Sequence, residues 1–349
     1  MNRVSEKNTF IDRLRSVVVH MTETGLGLLT KMQPVLIIIA ALAGIALGQI
    51  AFMAENTSRL IEPFLMVLLF VIFLKVDIRE IGRSFRNVRF SSTSVIINFV
   101  WTPLFAVLLG FAFLGGSTDM MIGFLMLLAT PCTDWYLVFT GMSKGNVSLS
   151  TSILPLNLVL QVLLLPVYLF LFLGTGSSFD IGSILVSIFI VLVIPFIAAN
   201  VIKTVLKAKG RKESMDNALG KHGDNVQLFF LCLAVLAMFA AFGSLITDDP
   251  MTLVQMLIPL GIFFIVNFVL ARAIGKALRF PFDDITSLTF TTMARNSPLA
   301  LAIAVAAFPG SPLIALVLVV GPLIELPILS LTSAAVLRMR EKRGSAAAE

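Results

Sequence analysis

A chain of 349 residues in which 58% are hydrophobic and only 13% are charged is too apolar for a soluble protein, since soluble domains carry about 25% charged residues. We therefore predict a polytopic membrane protein. The net charge of +6 does not indicate a nucleic-acid partner, because the basic residues follow the membrane topology described below. The two cysteines, Cys132 and Cys232, and the two histidines, His20 and His222, provide no disulfide framework, metal motif or Ser-His-Asp pattern. We predict neither an enzyme nor a bound cofactor.

The hydrophobic segments predict an all-α protein with ten transmembrane helices. A spanning helix needs roughly 20 mostly apolar residues, and ten segments meet this requirement: 34–53, 60–77, 92–114, 119–143, 147–173, 179–205, 225–246, 251–278, 284–308 and 311–337. Residues 1–33 are predicted to be a cytoplasmic tail with an amphipathic interfacial helix. Residues 338–349 are predicted to be a second cytoplasmic tail.

The basic residues predict the orientation of these spans. With both termini in the cytoplasm of a plasma-membrane protein, all but two of the 26 Lys and Arg residues lie on the cytoplasmic side, as the positive-inside rule requires. The exceptions are Arg59, on the outside, and Arg295, within a span. A charged cytoplasmic linker follows span six inside the region 174–224.

The ten spans divide into two sets of five, residues 34–173 and 179–337. Because five is odd, the second set enters the membrane from the opposite side, and this predicts an inverted repeat.

The fourth span of each half is interrupted by polar residues, at Ala129–Trp135 and at Ala294–Leu299. Irregular backbone persists at that depth only where protein buries it or a watery cavity solvates it, and paired interruptions indicate a transport site. Pro131 and Pro298 mark the two helix breaks.

Free N–H groups of half-helices favour anions or polar oxygens. Polar side chains beside them (Thr130, Thr133, Asn296 and Ser297) suit an oxyanion, a neutral hydroxide or a carboxylate, without choosing among these.

Three ionisable residues stand out because they lie deep within the predicted spans, where each costs several kcal/mol and is a functional candidate. Asp134 and Arg295 lie at the two breaks and are predicted to pair if the broken helices cross, either as a gate or as a purely structural pair. Glu325 lies between Pro322 and Pro327, and we predict a role in ion coupling; the alternative is a structural carboxyl group bonded to a nearby serine or backbone group. Cys132 is either a ligand for a soft centre or a packing residue.

Several motifs resemble the bile acid:sodium symporter superfamily, which includes the arsenite efflux permeases. These are the stretches 144–150 and 295–302, the cysteine twelve residues before Lys144-Gly145, and the stretch Gly321 to Pro327. The resemblance covers residues 34–337. It implies the ten-span inverted repeat with two crossing broken helices, arranged as a panel domain beside a core domain.

The departures from the family pattern indicate a divergent subgroup. Pro131 stands where arsenite permeases usually carry Arg, and Ala300 stands where they carry Glu. The sodium ligands of the symporters fall, by the resemblance, on Tyr136, Leu137, Thr291 and Arg295. Arg has no acceptor for Na⁺, so the sequence favours protons over sodium as the coupling ion.

Two functions follow as hypotheses. The first is proton-coupled efflux of arsenite or a related trivalent metalloid. Substrate binding is assigned to Cys132, Thr133, Asp134, Arg295, Asn296 and Ser297, and coupling to Asp134, Arg295 and Glu325.

The alternative is an ion-coupled symporter of a small organic anion, in which Arg295 pairs with the carboxylate of the substrate. The sequence leaves the substrate, the direction and the oligomeric state open.

Overall fold

A computed structural model describes residues 35–75, 87–133, 135–173, 181–244 and 251–346. The predicted N-terminal interfacial helix and Asp134 lie outside these residues. Every regular element among the described residues is a helix. In chain order they are α1 Val35–Gly48, α2 Ala51–Asn56, α3 Ser58–Lys75, α4 Val88–Phe113, α5 Thr118–Ala129, α6 Trp135–Met142, α7 Val147–Leu173, α8 Ile181–Ala208, α9 Lys212–Phe242, α10 Met251–Ala277, α11 Phe282–Met293, α12 Ser297–Ala307 and α13 Pro312–Ala346.

Five of the described helices are long and apolar enough to cross a membrane, namely α4, α7, α9, α10 and α13. Their outer faces carry large apolar side chains. On α4, Leu104, Leu108 and Phe111 are each at least 60% exposed, at a spacing that places them on one face of the helix. A soluble monomer rarely exposes such a continuous apolar surface, whereas lipid covers it readily. The predicted all-α polytopic architecture is therefore confirmed.

Among the helices too short to span a bilayer, four occur as two interrupted pairs. Helices α5 and α11 have 12 residues each, α6 has 8 and α12 has 11, whereas a spanning helix needs roughly 20. Every residue from Ile285 to Met293 is buried, so the second interruption begins deep inside the protein. Helix α5 packs against α13 and α4, α11 packs against α10, and α12 packs against α13, α8 and α3.

The loop between α6 and α7 is tied to the second half of the chain by polar contacts. The backbone N–H of Asn146 donates to the carbonyl oxygen of Asp283 at 3.2 Å, and its side-chain nitrogen donates to Asp284 Oδ1 at 2.8 Å. Arg340 on α13 donates to the carbonyl oxygen of Lys144 at 2.8 Å and forms an ion pair with Asp283. These contacts join the starts of α7 and α11 to the end of α13.

Two glycines allow α1 to approach the backbone of α9. A Cβ atom added at Gly44 would lie 2.5 Å from the carbonyl oxygen of Leu236, and one added at Gly48 would lie 2.6 Å from that of Ala240. Both distances are shorter than any normal contact, and both obstacles are backbone atoms that cannot rotate away. The Gly44-x-x-x-Gly48 pattern is thus a helix-packing motif of the kind common in membranes.

Replacing either glycine with alanine is expected to destabilise the protein by roughly 1–3 kcal/mol, because the added methyl group forces α1 away from α9. The measurement is thermal unfolding of the detergent-purified protein. Gly261→Ala is the matched control, since Gly261 lies inside helix α10 with nothing within 4 Å of an added Cβ. Equal melting temperatures for Gly44→Ala, Gly48→Ala and Gly261→Ala would contradict the close α1–α9 packing.

Candidate functional site

The two interruptions meet and pair with each other. The backbone N–H of Cys132 donates to the carbonyl oxygen of Ala294 at 3.0 Å, and the N–H of Asn296 donates to that of Thr130 at 2.7 Å. Pro131 and Arg295 are opposite each other in this short antiparallel bridge. We call the paired segments 130–132 and 294–296 the crossover. Each broken segment satisfies backbone groups of the other, as a buried site away from water requires.

Local sequence explains why the helices stop here. Pro131 has no N–H with which to continue α5, and the Thr130 hydroxyl donates back to the carbonyl oxygen of Met126 at 2.9 Å. Helix α12 begins on a capping side chain, because Asn296 Oδ1 accepts the N–H of Leu299 at 3.3 Å. Pro298 occupies an early helical position, where a missing N–H costs nothing.

Cys132 lies at the N-terminal end of α6. Its Sγ accepts the backbone N–H of Trp135 at 3.2 Å, and the residue is 4% exposed. The sulfur therefore lies at the helix end that carries partial positive charge. The neighbouring Thr133 is 2% exposed. The crossover thus places a thiol that is not in a disulfide beside the start of a half-helix.

Arg295 is buried in the crossover, with 1% of its surface exposed. Its Nε donates to the carbonyl oxygen of Met293 at 3.2 Å, and its Nη1 donates to that of Leu128 at 2.9 Å. Its Nη2 donates to Asn98 Oδ1 at 3.1 Å and also to the carbonyl oxygen of Thr292. A guanidinium has five N–H groups, and four of them are bound to oxygens of the protein. The predicted partner of Arg295, Asp134, lies outside the described residues, so that pairing remains a prediction.

Glu325 contacts the crossover from α13. Its Oε1 accepts the backbone N–H of Arg295 at 2.9 Å, and the residue is 3% exposed. Both flanking prolines, Pro322 and Pro327, lie inside α13. A carboxyl group and a guanidinium therefore belong to one buried assembly, in which the carboxylate holds the backbone of Arg295 while the guanidinium holds the helix ends.

Asn98 belongs to this assembly and was not predicted from the sequence. It lies in a π-helical segment of α4, Ile97–Trp101, and its side-chain nitrogen donates to the carbonyl oxygen of Thr291 at 3.2 Å. Segments of this type occur frequently at functional sites. The carbonyl oxygen of Phe99, in the same segment, accepts the Tyr168 hydroxyl at 2.5 Å. The signal in the sequence was a single amide within the apolar span 92–114.

Several buried polar atoms near the crossover and on α7 have no hydrogen-bond partner. Around the second break they are Asn296 Nδ2, Ser297 Oγ and Thr291 Oγ1, and on α7 they are the amide nitrogens and oxygens of Asn157 and Gln161. Buried polar groups are usually hydrogen-bonded, so these atoms are available to a ligand or to water.

A small cavity lies beside the second break. Ser297, Pro298 and Leu301 of α12 line it, together with side chains of α1, α9 and α13. Ser297 is the polar residue in a lining that is otherwise apolar. This is the one predicted binding residue that the cavity reaches among those described.

Comparisons with known proteins agree with this architecture. A profile of the sodium bile acid symporter family matches residues 62–249, which is more than half of the chain. Two similar proteins are named arsenical-resistance protein Acr3: that of Corynebacterium glutamicum is 25% identical, covering 87% of each chain, and that of Alkaliphilus metalliredigens is 22% identical, covering 89% of this chain and 93% of its own. An uncharacterized transporter of Synechocystis is 23% identical over 87% of each chain.

The resemblance noted in the sequence is thereby confirmed, and so is the transporter class that it implied. The match includes the first break and the start of α7, while the second break and Glu325 lie beyond its end. The chain is a multi-pass membrane transporter that belongs to the sodium bile acid symporter family.

Proposed function

We propose that this protein is a secondary active transporter that exports arsenite or a related trivalent metalloid in exchange for protons. The observation that carries the proposal is the position of Cys132, a buried thiol inside the first break and at the N-terminal end of α6. Trivalent arsenic is a soft centre, and sulfur ligands select soft centres. The names of two relatives, both arsenical-resistance proteins, support the same cargo.

The unpartnered donors at the crossover suit the rest of such a substrate. Arsenite near neutral pH is a neutral trihydroxide, and its oxygens need hydrogen-bond donors and acceptors rather than a counter-ion. Asn296 Nδ2 and Ser297 Oγ are buried without partners. We propose that they bind these hydroxyls while Cys132 binds the arsenic, with Thr133 and Asp134 completing the predicted site.

We also propose the membrane arrangement that the sequence predicted. In it ten spans form an inverted repeat of residues 34–173 and 179–337, with tails at 1–33 and 338–349 and both termini in the cytoplasm. The antiparallel pairing of the two breaks supports this proposal, because symmetry-related broken helices of inverted repeats meet near the middle of the bilayer.

Glu325 is the proposed proton carrier. It is a buried carboxyl group bonded to the backbone of the crossover, so a change in its charge acts directly on the segment that holds the substrate. Carboxylates in such positions commonly relay protons in transporters.

An organic anion is the second candidate, and the family to which the chain belongs favours it. A carboxylate substrate would need a free cation at the site. Four of the five N–H groups of Arg295 are already bound to protein oxygens, which favours the neutral metalloid. Uptake of a labelled carboxylate by the wild-type protein that is unaffected by Cys132→Ser would select this alternative.

Replacing Cys132 with serine is expected to abolish arsenite resistance, because a hydroxyl is a poor ligand for a soft centre. The measurement is growth of an arsenite-sensitive host, together with the amount of protein in the membrane. Resistance should fall to that of cells without the gene while the membrane amount is retained. Cys232→Ser, at the other cysteine, is the matched control and should keep full resistance. Resistance unchanged in Cys132→Ser would refute the thiol as the substrate ligand.

Replacing Glu325 with glutamine is expected to separate transport from the proton gradient. Glutamine keeps an oxygen that accepts the N–H of Arg295 but cannot exchange a proton. In proteoliposomes, an imposed pH gradient should accelerate arsenite movement by the wild-type protein, whereas an imposed sodium gradient should not. The variant should still exchange arsenite without responding to pH, and Glu55→Gln, at an exposed carboxyl group on α2, should behave as wild type. A variant that still follows the pH gradient would exclude Glu325 as the proton carrier.

A further inference from the structure

The guanidinium of Arg295 lies in a cage of oxygen atoms from three helices. The carbonyl oxygen of Leu128 comes from the end of α5, and those of Thr292 and Met293 come from the end of α11. The fourth oxygen is Oδ1 of Asn98, in the π-helical segment of α4. These oxygens come from both halves of the chain, so whatever fills the cage joins the two halves.

The cage requires a cation for a physical reason. The last carbonyl groups of a helix have no partner within the helix, and together they form its negative end. Here two helices end against each other in the protein interior, where no bulk water is present to solvate them. Oxygens converging in a buried site bind a positive charge as they do in ion-selective proteins, where carbonyl groups replace the hydration shell of the ion.

The groups that surround the cage suit one positive charge. Its four oxygens are neutral, and the carboxyl group in contact with the same residue is Glu325, which accepts the Arg295 backbone N–H at 2.9 Å. The ring of Phe263 faces the guanidinium, with its centroid 5.1 Å from Cζ, and an aromatic face also favours a cation. Neutral oxygens, one carboxyl group and a ring suit a monovalent ion better than Ca²⁺ or Mg²⁺, which prefer several carboxylates or waters.

We propose that this cage is a binding site for one monovalent cation and that the protein fills it permanently with its own Arg295. The side chain acts as a tethered counter-ion that holds the ends of α5 and α11 together. No ion from solution is needed to complete the crossover, so the assembled site is independent of sodium. Removing the guanidinium leaves an empty oxygen cage that an added cation can occupy. This inference does not depend on the identity of the transported substrate.

The test measures thermal unfolding of the detergent-purified full-length protein in choline chloride, with millimolar guanidinium chloride or with sodium chloride added at constant ionic strength. Arg295→Ala should unfold at a temperature lower by roughly 5–10 °C, because it leaves a network of buried polar groups without their partner. Guanidinium or sodium should restore at least half of that loss in a saturable manner. The wild-type protein should show no such rise, since its cage is filled.

Arg340→Ala is the matched control, because the Arg340 guanidinium also binds a carbonyl oxygen, that of Lys144, but is partly exposed and pairs with Asp283. Any loss in that variant should not be restored by either cation. Arg295→Gln provides a second cage variant if Arg295→Ala is poorly recovered. Failure of both cations to stabilise or recover either Arg295 variant would overturn the proposal, as would an equal rise in the wild-type protein.

Discussion

The structure depends on the need to satisfy backbone groups where two helices stop inside the protein, away from water. At the crossover, segments 130–132 and 294–296 exchange two backbone hydrogen bonds, and the guanidinium of Arg295 binds three carbonyl oxygens at the ends of α5 and α11. An unsatisfied backbone group costs several kcal/mol in this environment. The two breaks therefore stabilise each other.

The sequence identified the two breaks because proline and capping residues mark helix ends locally. Pro131, Asn296 and Pro298 act within a few residues of themselves, so their effect is readable without the fold. The partners of Arg295 were not predictable in the same way. Backbone carbonyl oxygens are present at every position, and only the fold selects Leu128, Thr292 and Met293. The sequence could offer Asp134 as a partner only because its charge is visible.

Asn98 shows a second limit of the sequence. An isolated amide in an apolar helix can be recognised in the sequence, but its role requires knowledge of the π-helical segment that directs it toward Arg295.

The membrane class, the helical fold and the family were predictable from the length of the hydrophobic segments and from motifs such as 144–150. Among the described residues, five helices have the length and composition of a membrane span. The count of ten spans stays a prediction from the sequence.

Three residues at or beside the crossover have different proposed roles. We propose that Arg295 holds the helix ends, Glu325 exchanges protons and Cys132 binds the metalloid. The most direct measurement is X-ray absorption at the arsenic edge on purified protein incubated with arsenite, for the wild-type protein and for Cys132→Ser. If Cys132 binds the metalloid, arsenic–sulfur scattering from one sulfur is expected in the wild-type protein and is lost in the variant. Arsenic bound only by oxygen in both proteins would contradict this role of Cys132.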